Sequence, residues 1–252
     1  MRLSRTATQA ARASPDGLLD LCGFVKPLGR FRQSLWSDRP MVYLCSSTSA
    51  LAADAKSGTE GPAAGEESWN WPDKAQVAVS CFTNCPEVSL TLNGRTLGTK
   101  RLGEAANGVL VWPMPFAPGT LKAEGRKDGR VLCEFELRTA GAAKRIELHP
   151  DVTRLRADGR DVCQVEFDVV DGRGRRVPNA APELNFELIG PAQILGLGNG
   201  DVANSEPVEG PAHRAYQGRG LAIVQSSTTA GGIRLTVSGP GLDSATLSMT
   251  SR

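Results

Sequence analysis

Short stretches of alternating apolar residues, each ended by a turn sequence, constrain the fold of this chain more than any other feature. The alternation occurs over residues 77–81 and again over 88–92. A period of two is typical of strands with one buried face. Asn93 and Gly94 follow directly and favour a two-residue hairpin, because a type I′ turn needs positive φ at both central positions. Further strands are predicted at 108–112, 120–125 and 131–138, separated by Pro-Gly and Asp-Gly turns.

A second set of strands is predicted from Arg145 to the end of the chain. In this set Val165, Phe167 and Val169 alternate with polar residues, so one face of their strand should be buried. Strands about ten residues apart with glycine-rich turns favour an immunoglobulin-like sandwich. No helical periodicity follows residue 69, which excludes a Rossmann unit and a barrel of alternating strands and helices. The sequence therefore predicts an all-β fold of two consecutive immunoglobulin-like β-sandwich domains.

The residues before these strands have a different pattern. Phe31, Leu35 and Trp36 are spaced as on one side of a short amphipathic helix. Ser, Ala, Gly and acidic residues dominate from Cys45 to Ser68, which indicates a flexible linker. We expect the helical segment to be separable from both sandwiches, so that its deletion leaves their stability nearly unchanged. The predicted domains are a helical segment at 1–44, a linker at 45–68, the first sandwich at 69–140 and the second at 141–252.

Charge and hydropathy exclude several classes of protein. The 29 basic and 27 acidic residues give a net charge of +2 and form no long block of one sign, which argues against nucleic-acid binding. No stretch approaches the roughly 18 consecutive apolar residues of a membrane-spanning helix, so we expect a soluble chain without membrane association. Residues Met1–Ala13 lack the apolar core of a secretory signal, so no signal peptide is predicted. The cellular location of the protein is left open.

Cysteine, histidine and acidic residues give no strong pattern for catalysis or metal binding. The six cysteines lack Cys-x-x-Cys spacing, and we interpret them as small buried side chains, although Cys81 and Cys85 could pair across a sharp turn. His149 and His213 are far apart, which disfavours a hydrolytic triad. The loop Asn199–Glu206 carries several oxygen ligands suited to calcium, but Asn-Gly-Asp is equally suited to a tight turn. We predict no metal site and no cofactor.

Four segments in this order resemble the C-terminal region of bacterial family 2 glycoside hydrolases of the β-galactosidase kind. The stretch GLLDLCGFVKP, together with QSLW and DRPMVYL that follow it, is similar to the end of the catalytic barrel in that family, where the last strand and loop run into the closing helix and then leave the domain. The stretch SWNWPDKAQVAVSCFTNCPEVSLTLNGRTLG resembles the opening of the next sandwich, and MPFAPGTLKAEG resembles its closing strands. The stretch LRADGRDVCQVEFDVVDGRGRRVPNA is similar to the terminal sandwich. The longer Ser-rich insert before Trp69 and the sequence Leu28-Gly29-Arg30 depart from the family pattern.

The resemblance implies that these residues are accessory to a catalytic domain. The family uses two carboxylates, and its acid/base glutamate follows an asparagine; this sequence contains no Asn-Glu pair. We therefore expect no catalytic residue and no activity in the isolated chain. The implied partner is the catalytic barrel of such a hydrolase, missing or separately encoded, with Asp20 and Lys26 as candidates for the rim of its active site.

An alternative function is an independent carbohydrate-binding or adhesion module built from the same folds. Trp69 and Trp71 are the candidate sugar contacts for that function, because exposed tryptophans can stack on sugar rings. The competing interpretation, which we prefer, is that both tryptophans seal the core of the first sandwich or its interface with a neighbouring domain.

Overall fold

A computed structural model describes residues 17–48 and 65–252, and these residues form two compact units. The first unit contains residues 25–48, 65–144 and 169–180, and the second contains residues 17–24, 145–168 and 181–252. The elements that lie mainly in the first unit are α1 (Pro27–Trp36), β1 (Val42–Thr48), β2 (Gln76–Thr83), β3 (Glu87–Leu92), β4 (Arg95–Arg101), β5 (Leu110–Pro115), β6 (Thr120–Lys127) and β7 (Arg130–Arg138). Those mainly in the second unit are β8 (Ala143–Pro150), β9 (Arg154–Leu155), β10 (Val162–Asp171), β11 (Glu183–Ile189), β12 (Ala192–Gly198), β13 (Ala212–Arg214), β14 (Arg219–Ser226), β15 (Gly231–Ser238) and β16 (Ala245–Ser251).

Two sheets form a sandwich in the first unit. One sheet has the strand order β1-β2-β5 and the other has the order β4-β3-β6-β7. Apolar side chains from both sheets form one buried cluster, which includes Val79 of β2, Leu90 of β3 and Leu121 of β6. The alternation over 77–81 and 88–92 therefore marks the core, and the all-β prediction is confirmed.

Strand β1 corrects the predicted boundary between helical segment and linker. Residues Cys45–Thr48 lie in this strand, which pairs with β2 along its whole length. Leu44 belongs to the sandwich core, whereas Tyr43 and Cys45 pack with Phe31 of α1 on the opposite face of the sheet. A strand that is buried on both faces shows no alternation, so periodicity could not detect it. Residues 49–64 of the predicted linker lie outside the described residues.

Residues 25–44 are not a separable segment, contrary to our expectation for the predicted helical segment at 1–44. Val42 and Leu44 are buried in the core of the first unit, and Phe31 is buried against the same sheet. Deleting residues 1–44 would remove the first three of the seven residues of β1 and expose the apolar face beneath α1. The stability of the first sandwich therefore depends on this part of the chain.

The second unit is also built from two sheets. Their strand orders are β12-β14-β10-β8 and β13-β11-β15-β16-β9. Val165 and Phe167 are fully buried on the inner face of β10, as their alternation predicts. Gly220 on the paired strand β14 makes room for Phe167, because a Cβ atom at Gly220 would overlap the Phe167 ring. None of the helices among the described residues is long and apolar enough to cross a membrane.

The predicted Asn-Gly hairpin joins β3 to β4. Asn93 and Gly94 have φ values of 52° and 79°, and Leu92 pairs with Arg95 on either side of them. The Asn93 side chain also accepts the Thr120 N–H and donates to the Pro118 carbonyl, at 2.9 and 3.0 Å. It thereby ties this hairpin to the Pro-Gly turn before β6.

Candidate functional site

Asp20, a predicted barrel-rim residue, organises a tight turn in the second unit. Its carboxylate accepts the backbone N–H groups of Cys22 and Phe24, at 2.9 and 3.0 Å. A Cβ atom at position 200 would overlap this carboxylate, so the close approach depends on Gly200 being glycine. The Phe24 ring lies 4.1 Å from the Arg219 guanidinium carbon. Residues 17–24 therefore contact the rest of the second unit through the close approach of Asp20 to Gly200 and through the cation–π contact of Phe24 with Arg219.

Lys26, the other predicted rim residue, precedes α1 in the first unit. It occupies the N-cap position of the helix, and Pro27 follows at a position where a missing N–H does no harm. Asp20 and Lys26 thus belong to different units.

Helix α1 is held on the first unit by one face and leaves the other exposed. Phe31 contacts Phe82 edge-on, with ring centroids 5.4 Å apart, and is only 8% exposed. Leu35 and Trp36 at the end of the helix are 52% and 75% exposed. The apolar set that we predicted to lie on one side of the helix is therefore split between an anchoring residue and two exposed ones.

Asn84 fixes the turn that follows α1. Its side-chain amide donates to the Ser37 and Arg39 carbonyls, at 2.7 and 2.8 Å, and its oxygen accepts the Met41 N–H at 2.8 Å. Asn84 directly follows β2, so these three bonds join the helix exit to the sheet. Local patterns do not connect residues more than forty positions apart. The three bonds hold the turn directly after Leu35 and Trp36.

The two candidate sugar-contact tryptophans belong to the structure of the first unit. Trp69 is 1% exposed, packs edge-on against Phe116 at 5.2 Å and donates its indole N–H to the Ala117 carbonyl at 3.0 Å. Trp71 is partly buried against the same core and donates its indole N–H to Ser46 Oγ at 2.8 Å. Trp69 therefore has no free ring face for a sugar, and the indole N–H of each tryptophan is already satisfied.

A cavity of about 370 Å³ lies within the second unit, at the end of β12. Leu21, Leu197, Leu221 and Ile223 form an apolar part of its wall. The polar part comes from His213 and from the loop that carries Asn199, Asp201, Asn204 and Glu206. Sequence reasoning did not predict this cavity, because its walls come from segments almost 200 residues apart. Burial raises the pKa of the Cys22 thiol at its edge to about 11, which keeps this thiol protonated.

The loop at 199–206 uses its oxygen atoms to form turns. Asn199 accepts the Asp201 N–H, Asp201 accepts the Ala203 N–H and Asn204 accepts the Glu206 N–H, at 2.8–3.0 Å. Each bond spans two residues, as in an Asx turn. Among the described residues no group of three or more His, Cys, Asp or Glu side chains is placed to hold a metal ion. The turn interpretation of this loop thus accounts for its Asn and Asp residues.

All six cysteines are free thiols. Cys81 is buried in the first core and does not pair with Cys85, which instead lies 3.6 Å from Cys133, sulfur to sulfur. Burial together with the neighbouring Cys85 raises the pKa of Cys133 to about 12. These buried thiols are consistent with the interpretation of cysteine as a small core side chain.

Comparison with known proteins finds matches for both units of the chain. The family described as glycoside hydrolase family 2 C-terminal domain 5 matches residues 146–248, and a domain of unknown function matches residues 74–133. The β-galactosidase BoGH2A of Bacteroides ovatus is 32% identical over 241 residues, which cover 95% of this chain and 26% of that protein. A putative β-glucuronidase of Formosa agariphila is 27% identical over 73% of this chain and 16% of its own length.

Solved structures agree with the sequence comparison. A glycosyl hydrolase family 2 member from Bacteroides cellulosilyticus has a TM-score of 0.86 and 30% identity, covering 94% of this chain and 32% of that one. The chain thus spans between 16% and 32% of the length of these relatives.

Proposed function

This chain is a C-terminal region of a glycoside hydrolase family 2 protein, and we propose that its two sandwiches are non-catalytic accessory domains that pack against the catalytic part of that protein. The relatives named above are a β-galactosidase, a putative β-glucuronidase and a glycosyl hydrolase. The whole protein would accordingly act on a β-linked glycoside. A retaining hydrolase needs two carboxylates about 5 Å apart, and the catalytic domain would supply both of them.

The exposed end of α1 is the observation that carries this proposal. Leu35 and Trp36 are apolar and largely exposed, on a helix that Phe31 and the Asn84 bonds hold in place. Soluble proteins seldom place neighbouring large apolar side chains in water without a partner. A helix that is anchored on one side and apolar at its tip suits contact with a neighbouring domain. The residues of the helix resemble the segment that leaves the catalytic barrel, which makes that barrel the partner we propose.

An independent binding module is the alternative function. We expected a separable helical segment as the remnant of a barrel, and the integration of α1 and β1 into the first unit instead favours a self-contained module. The burial of Trp69 removes the main sugar-stacking candidate of the alternative. The accessory function is therefore supported by the family match and by the exposed tip of α1.

A chimaeric enzyme tests the accessory function. This chain would replace the matching C-terminal quarter of the Bacteroides ovatus β-galactosidase, and Leu35→Ser with Trp36→Ser would be introduced into the chimaera and into the isolated chain. We expect the double variant to lower the inactivation temperature of the chimaera while leaving the melting midpoint of the isolated chain nearly unchanged. The reason is that both side chains are exposed in the chain and would be buried only in the contact with the catalytic domain.

Leu132→Ser is the matched control, since Leu132 is a comparably exposed apolar residue on strand β7 of the same unit. This substitution should change neither the inactivation temperature of the chimaera nor the melting midpoint of the isolated chain. An unchanged inactivation temperature for the double variant of an active chimaera would contradict the proposed contact.

A further inference from the structure

The cavity in the second unit has the size and composition of a small-molecule site. Its volume of about 370 Å³ lies within the range of roughly 300–1,000 Å³ that is usual for ligand pockets. One part of the wall is apolar, and the other part carries hydrogen-bonding groups from the 199–206 loop and from His213. Such a division suits a ring-shaped ligand with one apolar face and several polar substituents.

The hydrogen bonds around His213 determine which ring nitrogen carries the proton. Asn204 Oδ1 accepts the Glu206 N–H at 2.8 Å, which fixes the orientation of the Asn204 amide. The Asn204 Nδ2 group therefore faces His213 Nε2, 3.1 Å away, and donates to it. In the neutral imidazole, Nε2 is then the acceptor and Nδ1 carries the hydrogen.

The Nδ1–H group of His213 is a buried donor without an acceptor. The side chain is 2% exposed, and Nδ1 has no hydrogen-bond partner among the described residues. Glu206 Oε2 is 3.5 Å away, beyond the usual N–H···O range of 2.7–3.2 Å, and already accepts the Arg214 N–H at 3.0 Å. Buried donors are nearly always paired with protein, water or ligand. An acceptor atom from outside the chain is therefore expected at this position.

A hydroxyl group that contacts His213 Nδ1 and Glu206 Oε2 from the same side suits this pair better than a charged group does. It can accept from Nδ1–H and at the same time donate to the Glu206 carboxylate, whereas an ammonium can only donate and a carboxylate can only accept. The charged residues that line the cavity are both acidic, Asp201 and Glu206. An anionic ligand would be repelled by them.

We propose that this cavity binds a neutral, hydroxyl-rich ligand of about the size of one sugar ring. The apolar wall contacts the C–H face of the ring, and one ring hydroxyl bridges His213 and Glu206. This function is independent of the contact between α1 and a catalytic domain. It gives the second sandwich a preference for neutral sugars over uronates.

Imidazole NMR provides a direct test, because the chain contains only two histidines. Long-range ¹H–¹⁵N spectra of the whole chain should show His213 with its proton on Nδ1. D-galactose and D-glucose should shift the His213 resonances saturably, with a Kd on the order of millimolar, and leave His149 unchanged. D-glucuronate should bind at least about tenfold more weakly.

Two variants connect the binding to the cavity. Val208→Trp fills the opening of the cavity from a residue that is 59% exposed, so it should abolish binding without disturbing the core. His213→Gln retains an acceptor for Asn204 but lacks the Nδ1 donor, and it should also abolish binding. His149→Gln, which changes a half-exposed histidine outside the cavity, is the matched control and should bind like the parent.

Three results would overturn the proposal. Absence of a saturable shift with either neutral sugar at about 100 mM would mean that the cavity holds only water. Equal binding of D-glucuronate would refute the charge argument. Unchanged binding by Val208→Trp would place the sugar at another site.

Discussion

Replacing Phe31 with alanine should strongly destabilise the first unit, because this side chain joins α1 to the sandwich. Phe31 is buried among Tyr43, Cys45 and Phe82 on the outer face of the β1-β2-β5 sheet. Removal of a buried phenylalanine ring typically costs 3–5 kcal/mol, from lost burial and from the cavity left behind. The ring lies under a single helix that can partly collapse, so we expect a value of about 3 kcal/mol.

Tryptophan fluorescence during urea unfolding measures this change selectively. All four tryptophans, at positions 36, 69, 71 and 112, lie in the first unit. A loss of about 3 kcal/mol should lower the thermal midpoint of a unit of this size by about 10 °C and lower the urea midpoint correspondingly.

Trp36→Ala is the matched control on the same helix, because this side chain is 75% exposed. It should change the free energy of unfolding by no more than about 0.5 kcal/mol. A loss below about 1 kcal/mol for Phe31→Ala would refute the assignment of α1 to the first unit and restore a separable helical segment.

Two further predictions concern the second unit and the 169–180 segment. Gly220→Ala should destabilise the second unit by several kcal/mol in calorimetry, because the new Cβ atom would overlap the Phe167 ring, whereas Gly232→Ala, with open space around the new methyl group, should be nearly neutral. Burial acts to raise the pKa of Asp171, but the backbone N–H groups of residues 141, 175 and 173 outweigh it and hold this pKa below its usual value. The stabilisation by the Asp171 carboxylate is thus complete well above its unfolded pKa of about 3.9 and is lost as the pH falls through the lower folded pKa. The unfolding free energy of the Asp171→Asn variant should therefore change less between about pH 5 and pH 2 than that of the parent protein, as measured by urea unfolding.

Local patterns predicted the strands that have one buried face. The alternation in β10 and the Asn93-Gly94 turn are properties of neighbouring residues, so a single sequence is sufficient to detect them. Strand β1 could not be predicted from periodicity, because both of its faces are buried and because its end is rich in serine. The resemblance to the hydrolase family added the relation to a catalytic barrel, which local patterns could not supply.

The candidate sites depend on contacts between residues that are distant in sequence. Asp20 approaches Gly200 so closely that a side chain at position 200 would overlap it. The cavity likewise has walls from the 17–24 segment and from the loop at 199–206, which are far apart in sequence. Composition and periodicity carry no information about such contacts. The unpaired Nδ1–H of His213 likewise became visible only when the orientation of Asn204 was known.

We propose that these two sandwiches have no catalytic centre of their own. The most direct test is hydrolysis of 4-nitrophenyl β-galactoside and 4-nitrophenyl β-glucuronide by the purified chain, measured at high protein concentration against buffer. We predict no turnover above the buffer rate for either substrate, because the paired carboxylates of the family would reside in the catalytic domain. Saturable turnover that a single Glu→Gln substitution within this chain abolishes would contradict the account.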